Sequence, residues 1–316
     1  MTAMMRTRLV TLAALSLALA ACGSKPVLPP PVVSQTQNFM AKGMLAYNDN
    51  RYAEARGWFG RAFAEYRSVD DQDREVDALT DLADAALQEG DVPSARDSIK
   101  QARDILATHP VAGLPERLSL LEAYADLESQ DPASAIVVLG PLLTDNAAGA
   151  DVQRAALFAR TQAAFDSKAG DAAQWLAKLG KGQDDLDQAR LERLQALAAS
   201  DSGNAASLYA SALHRYQLHY YRPGIAAVHE EWGALLLSQQ KWAEARDHLQ
   251  RALDIRLWMY DGSRSARILT QMQQADTALG NADQAKQDGV WSDYLKNGGD
   301  PSKSPVAPAA VTTPSN

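Results

Sequence analysis

Residues 241–255 read KWAEARDHLQRALDI, and residues 51–63 read RYAEARGWFGRAF. Both stretches open with a basic residue and an aromatic, followed by Ala-Glu-Ala-Arg. In the first, Ala245, Leu249 and Ala252 fall at i, i+4 and i+7, one face of a helix. In the second, Ala55, Phe59 and Ala62 do the same. A small–large–small stripe lets a neighbouring helix come close at the alanines while the large side chain fills the groove between them. Twelve residues before Ala245 stands Gly233, in EEWGALLL, and twelve before Ala55 stands Gly43, in MAKGMLAY. Each puts a second small residue on a preceding helix, with SQQK or NDNR as the turn between. Both units therefore read as helical hairpins with small residues at their own crossing.

The pattern resembles the tetratricopeptide repeat. Its positions are met by Gly43, Tyr52, Ala55, Phe59 and Ala62, and again by Gly233, Trp242, Ala245, Leu249 and Ala252. A third copy uses Ala83, Gly90, Val92, Ala95, Ile99 and Ala102. MQQADTALGNADQAKQDG keeps Gly280 and Ala285 but has Gly289 where a large residue belongs. ADLESQDPASAIVVLGPLL keeps Ala135 and Leu139, with Leu142 for the last alanine. The leading alanine recurs at Ala55, Ala95 and Ala135, and at Ala245 and Ala285, in steps of 40 residues; the family norm is about 34. The resemblance covers residues 36–297 and implies an all-α, right-handed solenoid of stacked hairpins. It is irregular over 151–212, where Trp175 occupies an alanine position.

The chain has 316 residues, 46% of them hydrophobic, and a net charge of −8 with no long basic run. That composition supports a globular core and argues against phosphate-backbone binding as the main activity. The N-terminus reads MTAMMRTRLVTLAALSLALAACGSK. Arg6 and Arg8 precede an apolar run of about a dozen residues, too short to span a bilayer as a mature helix. It ends in Leu19-Ala20-Ala21-Cys22, which resembles the bacterial lipobox. The resemblance implies removal of residues 1–21, lipidation of Cys22 and acylation of its new amino group. Cys22 is the chain's single cysteine, so a lipid handle accounts for it where a disulfide cannot. Gly23 and Ser24 follow; in the enterobacterial sorting rule an aspartate there favours the inner membrane, so the expected address is the outer membrane, facing the periplasm. Residues 22–35 are rich in proline and read as a semi-rigid linker. Residues 298–316, rich in Pro, Ser and Thr, read as a disordered tail.

Catalytic motifs are hard to find. HEEWG (229–233) begins like the zincin helix H-E-x-x-H, but the second imidazole position is Gly233, so it reads as a solvated helix face. LGKGQDD (179–185) lacks the glycine and hydroxyl of a phosphate loop. His214 and His219 are five residues apart and share a helix face poorly, so no metal site is expected. The acidic runs VDDQDREVD (69–77) and DDLD (184–187) read as solvated loops. LHRYQLHYYRPG (213–224) reads as the packed end of a long helix stopping at Pro223-Gly224, with Tyr216 and Tyr220 as candidate partner contacts. By repeat register, Met40, Met44, Tyr47, Leu120, Tyr124 and Leu127 are the candidate groove positions on the concave face. The alternative for these is packing between neighbouring repeats. No cofactor, small-molecule substrate or nucleic acid is expected. The sequence thus points to a non-enzymatic, lipid-anchored scaffold for envelope proteins of unknown identity. A structural spacer and an envelope hydrolase are the rival readings.

Overall fold

The computed structural model describes residues 31–144, 148–199 and 202–305. The signal segment, Cys22 and residues 306–316 lie outside the described residues. The described residues form seven helical hairpins. The first pairs α1 (Pro31–Asn48) with α2 (Tyr52–Ser68), and the second α3 (Gln72–Gln88) with α4 (Val92–Leu106). The third pairs α5 (Leu114–Glu128) with α6 (Pro132–Thr144), and the fourth α7 (Ala150–Asp166) with α8 (Ala172–Leu179). The last three pair α9 (Asp185–Ala198) with α10 (Ser202–Leu218), α11 (Arg222–Ser238) with α12 (Trp242–Trp258), and α13 (Gly262–Leu279) with α14 (Ala282–Lys296). The helices opening successive hairpins neighbour one another from α3 through α13. The protein is an all-α solenoid.

The 40-residue period has a simple origin: helices of 17 residues, as in α10, α11 and α12, joined by three-residue turns. Eight of the described turns use a residue in the left-handed region. Asn50 (φ +60°), Asp70 (+54°), Gly90 (+70°), Gln130 (+60°), Tyr220 (+51°), Gln240 (+60°), Tyr260 (+62°) and Gly280 (+79°) recur at multiples of ten residues. The next N–H reaches back five residues, as in Asp91 to the Ala86 carbonyl at 2.9 Å and Asp261 to the Arg256 carbonyl at 2.9 Å. This closes the preceding helix in the Schellman manner. That same residue then starts the next helix. The Asp91 carboxylate accepts from the Ser94 backbone N–H at 3.1 Å, and Asp261 from that of Arg264 at 3.0 Å.

The hairpins pack as the alanine stripe predicts. Ala55, Phe59, Ala62, Ala245, Leu249 and Ala252 are all fully buried. A Cβ placed on Gly43 would lie 2.4 Å from the Phe59 ring, and one on Gly233 would lie 2.8 Å from Leu249 Cγ. The glycine on the first helix is the seat of the large residue on the second.

The structure differs from the sequence reading in several places. The irregular stretch holds a further in-register hairpin: Ala205, Tyr209 and Ala212 on α10 form the small–large–small stripe and are buried. Its leading alanine stands 30 residues after Trp175 rather than 40 because α8 has only eight residues. Trp175 lies against the cations of Arg160 and Lys178 and donates to Asp171 at 2.8 Å. α1 begins at Pro31, inside the stretch read as linker; proline suits the first position of a helix. α10 ends at Leu218, and Pro223 and Gly224 open α11 instead of stopping the helix before it. The acidic runs are helix starts: Asp71 caps α3, and Asp184 caps α9 by accepting from the Asp187 N–H at 2.8 Å. Residues 298–300 turn back onto α14, where the Asp300 N–H meets the Tyr294 hydroxyl at 3.0 Å.

The solenoid curls until early hairpins meet late ones. Asn50 Nδ2 donates to the Tyr220 carbonyl at 3.2 Å, and Arg222 Nη1 to the Asp49 carbonyl at 3.3 Å. Gly90 abuts the α12–α13 turn so closely that a Cβ would lie 2.5 Å from Asp261 Oδ1. Arg267 Nη1 reaches both the carbonyl (3.3 Å) and Oε1 (3.2 Å) of Glu128.

Candidate functional site: the central cavity

This curl shapes a half-open cavity of about 840 Å³. Every hairpin's first helix contributes to its wall: Tyr47 from α1, Asp84 from α3, Tyr124 from α5, Phe158 from α7, Arg190 from α9, Glu231 from α11 and Arg264 from α13. The wall is rich in charge. A helix that puts alanine against its neighbours has its opposite face free for polar residues, and stacked hairpins bring those faces together.

Most of these charges are matched. Arg193 pairs with Glu231. Arg264 holds Glu128 at 2.5 Å and Asp261 at 2.8 Å, and Arg267 adds a contact to Glu128 at 3.2 Å. Arg256 lies 3.4 Å from Asp261 and 3.7 Å from Glu230. Burial is the main influence on the acids. It pushes the Glu231 carboxyl up to about 7, with Glu230 and Asp166 adding repulsion that Arg193 only partly offsets. Burial also raises Asp84 and Asp166. The phenols of Tyr124 and Tyr216 are pushed up to about 12, again chiefly by burial.

Three cavity charges, Asp84, Asp166 and Arg190, form no ion pair among the described residues, and Asp84 lies within electrostatic reach of Arg117 and Arg190. Asp84 Oδ1 accepts from the Tyr47 hydroxyl at 3.0 Å and from Gln88 Nε2 at 3.4 Å, and among the described residues it forms no ion pair. Arg190 sits beside Tyr124, Tyr216 and Tyr221, with no carboxylate in contact among the described residues. Asp166 is also without a direct cation. It accepts from Gln162 at 3.0 Å and feels the positive charge of Arg193 and Arg267.

The candidate positions separate into groups. Tyr47, Tyr124, Leu127 and Tyr216 line the cavity. Leu120 is buried in the core of the third hairpin, and Met40 packs on the cores of the first. Met44 is exposed, and Tyr220 projects from the closure turn with 79% of its surface free. Periodicity alone did not single out Asp84, Arg190, Arg193 or Glu231, because a charged residue on a helix face looks the same whether it meets water or an inner wall. HEEWG is not a solvated face either. His229 is 6% exposed, and its Nδ1 lies 3.0 Å from His248 Nδ1, with the Trp232 ring against His248. Among the described residues no three metal-ligating side chains converge, and no helix is long and apolar enough to cross a membrane.

The geometry defines a helical-repeat protein with a charged, concave inner face. No family model matches the chain. A segment of 78 residues is 35% identical to "Regulatory protein AfsR" of Streptomyces coelicolor, covering 25% of this chain and 8% of that protein. Among solved structures, the crystal structure of the apo form of RapI aligns over 84% of this chain and 77% of its own, with a TM-score of 0.46 and 12% identity. Neither alignment assigns a function.

Proposed function

We propose that the protein is a scaffold that docks a protein partner in the bacterial envelope, tethered by acyl chains on Cys22 to the outer membrane and facing the periplasm. The observation that carries this reading is the convergence of side chains from all seven hairpins on one inner wall. Such a surface can grip an extended segment along its length. The order of charged, apolar and small residues before Cys22 supports the tether. The job is piloting of pilus or secretin subunits, support of outer-membrane protein assembly, or recruitment of a peptidoglycan enzyme.

The test is photo-crosslinking in cells. A photoreactive residue replacing Tyr124 on the cavity wall should yield a reproducible adduct with an envelope protein. One replacing Val137, which is 74% exposed on α6, should not. Absence of an adduct from the inner wall would favour a spacer without a ligand.

A further inference from the structure

We propose that the centre of the cavity binds a short zwitterion, a free α-amino acid or a peptide of a few residues, with its ammonium on Asp84 and its carboxylate on Arg190. This does not rest on the docking of a protein partner.

The argument starts from charge matching. Ionised groups taken from water are retained where a partner compensates them. In this cavity Arg193, Arg256, Arg264 and Arg267 each have a carboxylate, and Glu128, Glu230 and Glu231 each have an arginine. Among the described residues Arg190 has no carboxylate in contact, and Asp84 and Asp166 have no cation in contact; of the two acids, Asp84 is the one in the field of Arg190, whereas Asp166 feels Arg193 and Arg267. Asp84 and Arg190 therefore form the open pair. They share the wall of one cavity and feel each other's field, yet they do not close into an ion pair. A ligand with both charges would compensate both at once, whereas a simple anion or cation would leave one uncompensated. Each group also has neutral support in place: the Tyr47 hydroxyl and Gln88 amide hold Asp84, and Tyr124, Tyr216 and Tyr221 surround Arg190. An arginine fork suits a carboxylate. Burial raises the Asp84 carboxyl even though Arg117 and Arg190 lie within electrostatic reach, and an ammonium in direct contact would restore its charge. The volume of about 840 Å³ lies within the range for small-ligand sites, roughly 300–1,000 Å³.

Equilibrium dialysis of the purified protein tests this. One arm uses a pool of the free proteinogenic amino acids and the other a random tripeptide pool with free termini. Retained species are read by mass spectrometry. Matched pools that are N-acetylated or C-amidated serve as comparisons. Blocking either end should reduce retention by about tenfold or more, and the arm that is retained identifies the source of the zwitterion. Asp84→Asn should lose the preference for a free amino end, and Arg190→Gln the preference for a free carboxylate. Retention indifferent to blocking, or none from either pool at millimolar concentration, overturns the proposal. The comparison of free and blocked pools on the unmodified protein decides the matter even where a variant fails to fold.

Discussion

The Asn50 side-chain amide donates to the Tyr220 carbonyl at 3.2 Å, joining residues 170 positions apart. Both are turn residues in the left-handed region, at φ +60° and +51°. Asn50 Oδ1 in turn accepts from the Tyr52 hydroxyl at 3.2 Å, so the amide is used at both ends. In an open solenoid each repeat touches only its neighbours, and stability is nearly a sum over adjacent interfaces. Here the first hairpin also touches the turn between the fifth and sixth, and that contact converts a concave face into a chamber.

Glu128 is a buried ionic tie in that closure. Its carboxylate lies between Arg264 (2.5 Å) and Arg267 (3.2 Å) and is almost fully buried. Removing one partner from a buried ion pair typically costs about 3–5 kcal/mol, because the charge left behind is uncompensated. Glu128→Ala should therefore lower stability by about 3 kcal/mol in denaturant unfolding and enlarge the particle in small-angle scattering. An unchanged scattering profile would show that the ring closes without this tie.

The glycines make opposite predictions at two positions of the same hairpin. At Gly43 a methyl group would press on the buried Phe59 ring at 2.4 Å. Overpacking of that kind costs about 1–3 kcal/mol, which outweighs the helix-propensity gain of roughly 1 kcal/mol. At Gly57, exposed on α2, a Cβ meets nothing within 4 Å. Gly43→Ala should lower the melting temperature and Gly57→Ala should raise it. Both are read by thermal unfolding, and a rise at both sites would refute the packing account.

The hairpins were legible because their information is local. Gly43, Ala55 and Phe59 lie within one unit, and helical periodicity places them on one seam. The shortened fourth unit hid the stripe on α10, because a ten-residue loss breaks the register even though Ala205, Tyr209 and Ala212 keep the pattern. The chamber was not legible. Whether Arg190 or Asp84 faces water or another wall depends on curvature accumulated over several hairpins, and no single stretch records that angle. The His229–His248 contact was missed for a related reason: it joins the two helices of one hairpin, but the motif drew attention to residues along one helix.

That histidine pair sets a pH dependence. At 3.0 Å one Nδ1 donates and the other accepts, so the pair is stable with both rings neutral. Burial, reinforced by the neighbouring His248, pulls His229 down to about 4, and burial also lowers His248. The unfolded chain takes up a proton near pH 6.5, and the folded chain does so only near pH 4. Between these values the unfolded state binds more protons, so stability falls as the solution is acidified. The contribution of His229 is present above pH 6.5 and is lost by about pH 4, a change of about 3 kcal/mol at 1.36 kcal/mol per unit. Histidine resonances followed by NMR should show His229 titrating last. His248→Gln should raise its midpoint, and an ordinary midpoint near 6.5 in the unmodified protein would contradict the buried pair.

The proposed tether makes the last prediction. Each buried CH₂ contributes roughly 0.8 kcal/mol, so one acyl chain holds a protein marginally and two signals already hold it stably. Cys22 is the only cysteine available for a lipid handle, and the buried apolar core of the described residues begins at Ala46. Cys22→Ser should therefore release the protein from membranes into the soluble fraction without altering its unfolding curve. Mass spectrometry of the unmodified protein should find acyl chains on Cys22 as the new first residue. A mature chain that keeps residues 1–21, or that carries a free Cys22 thiol while still sedimenting with membranes, would sink the tether and leave the folded body to be explained without it.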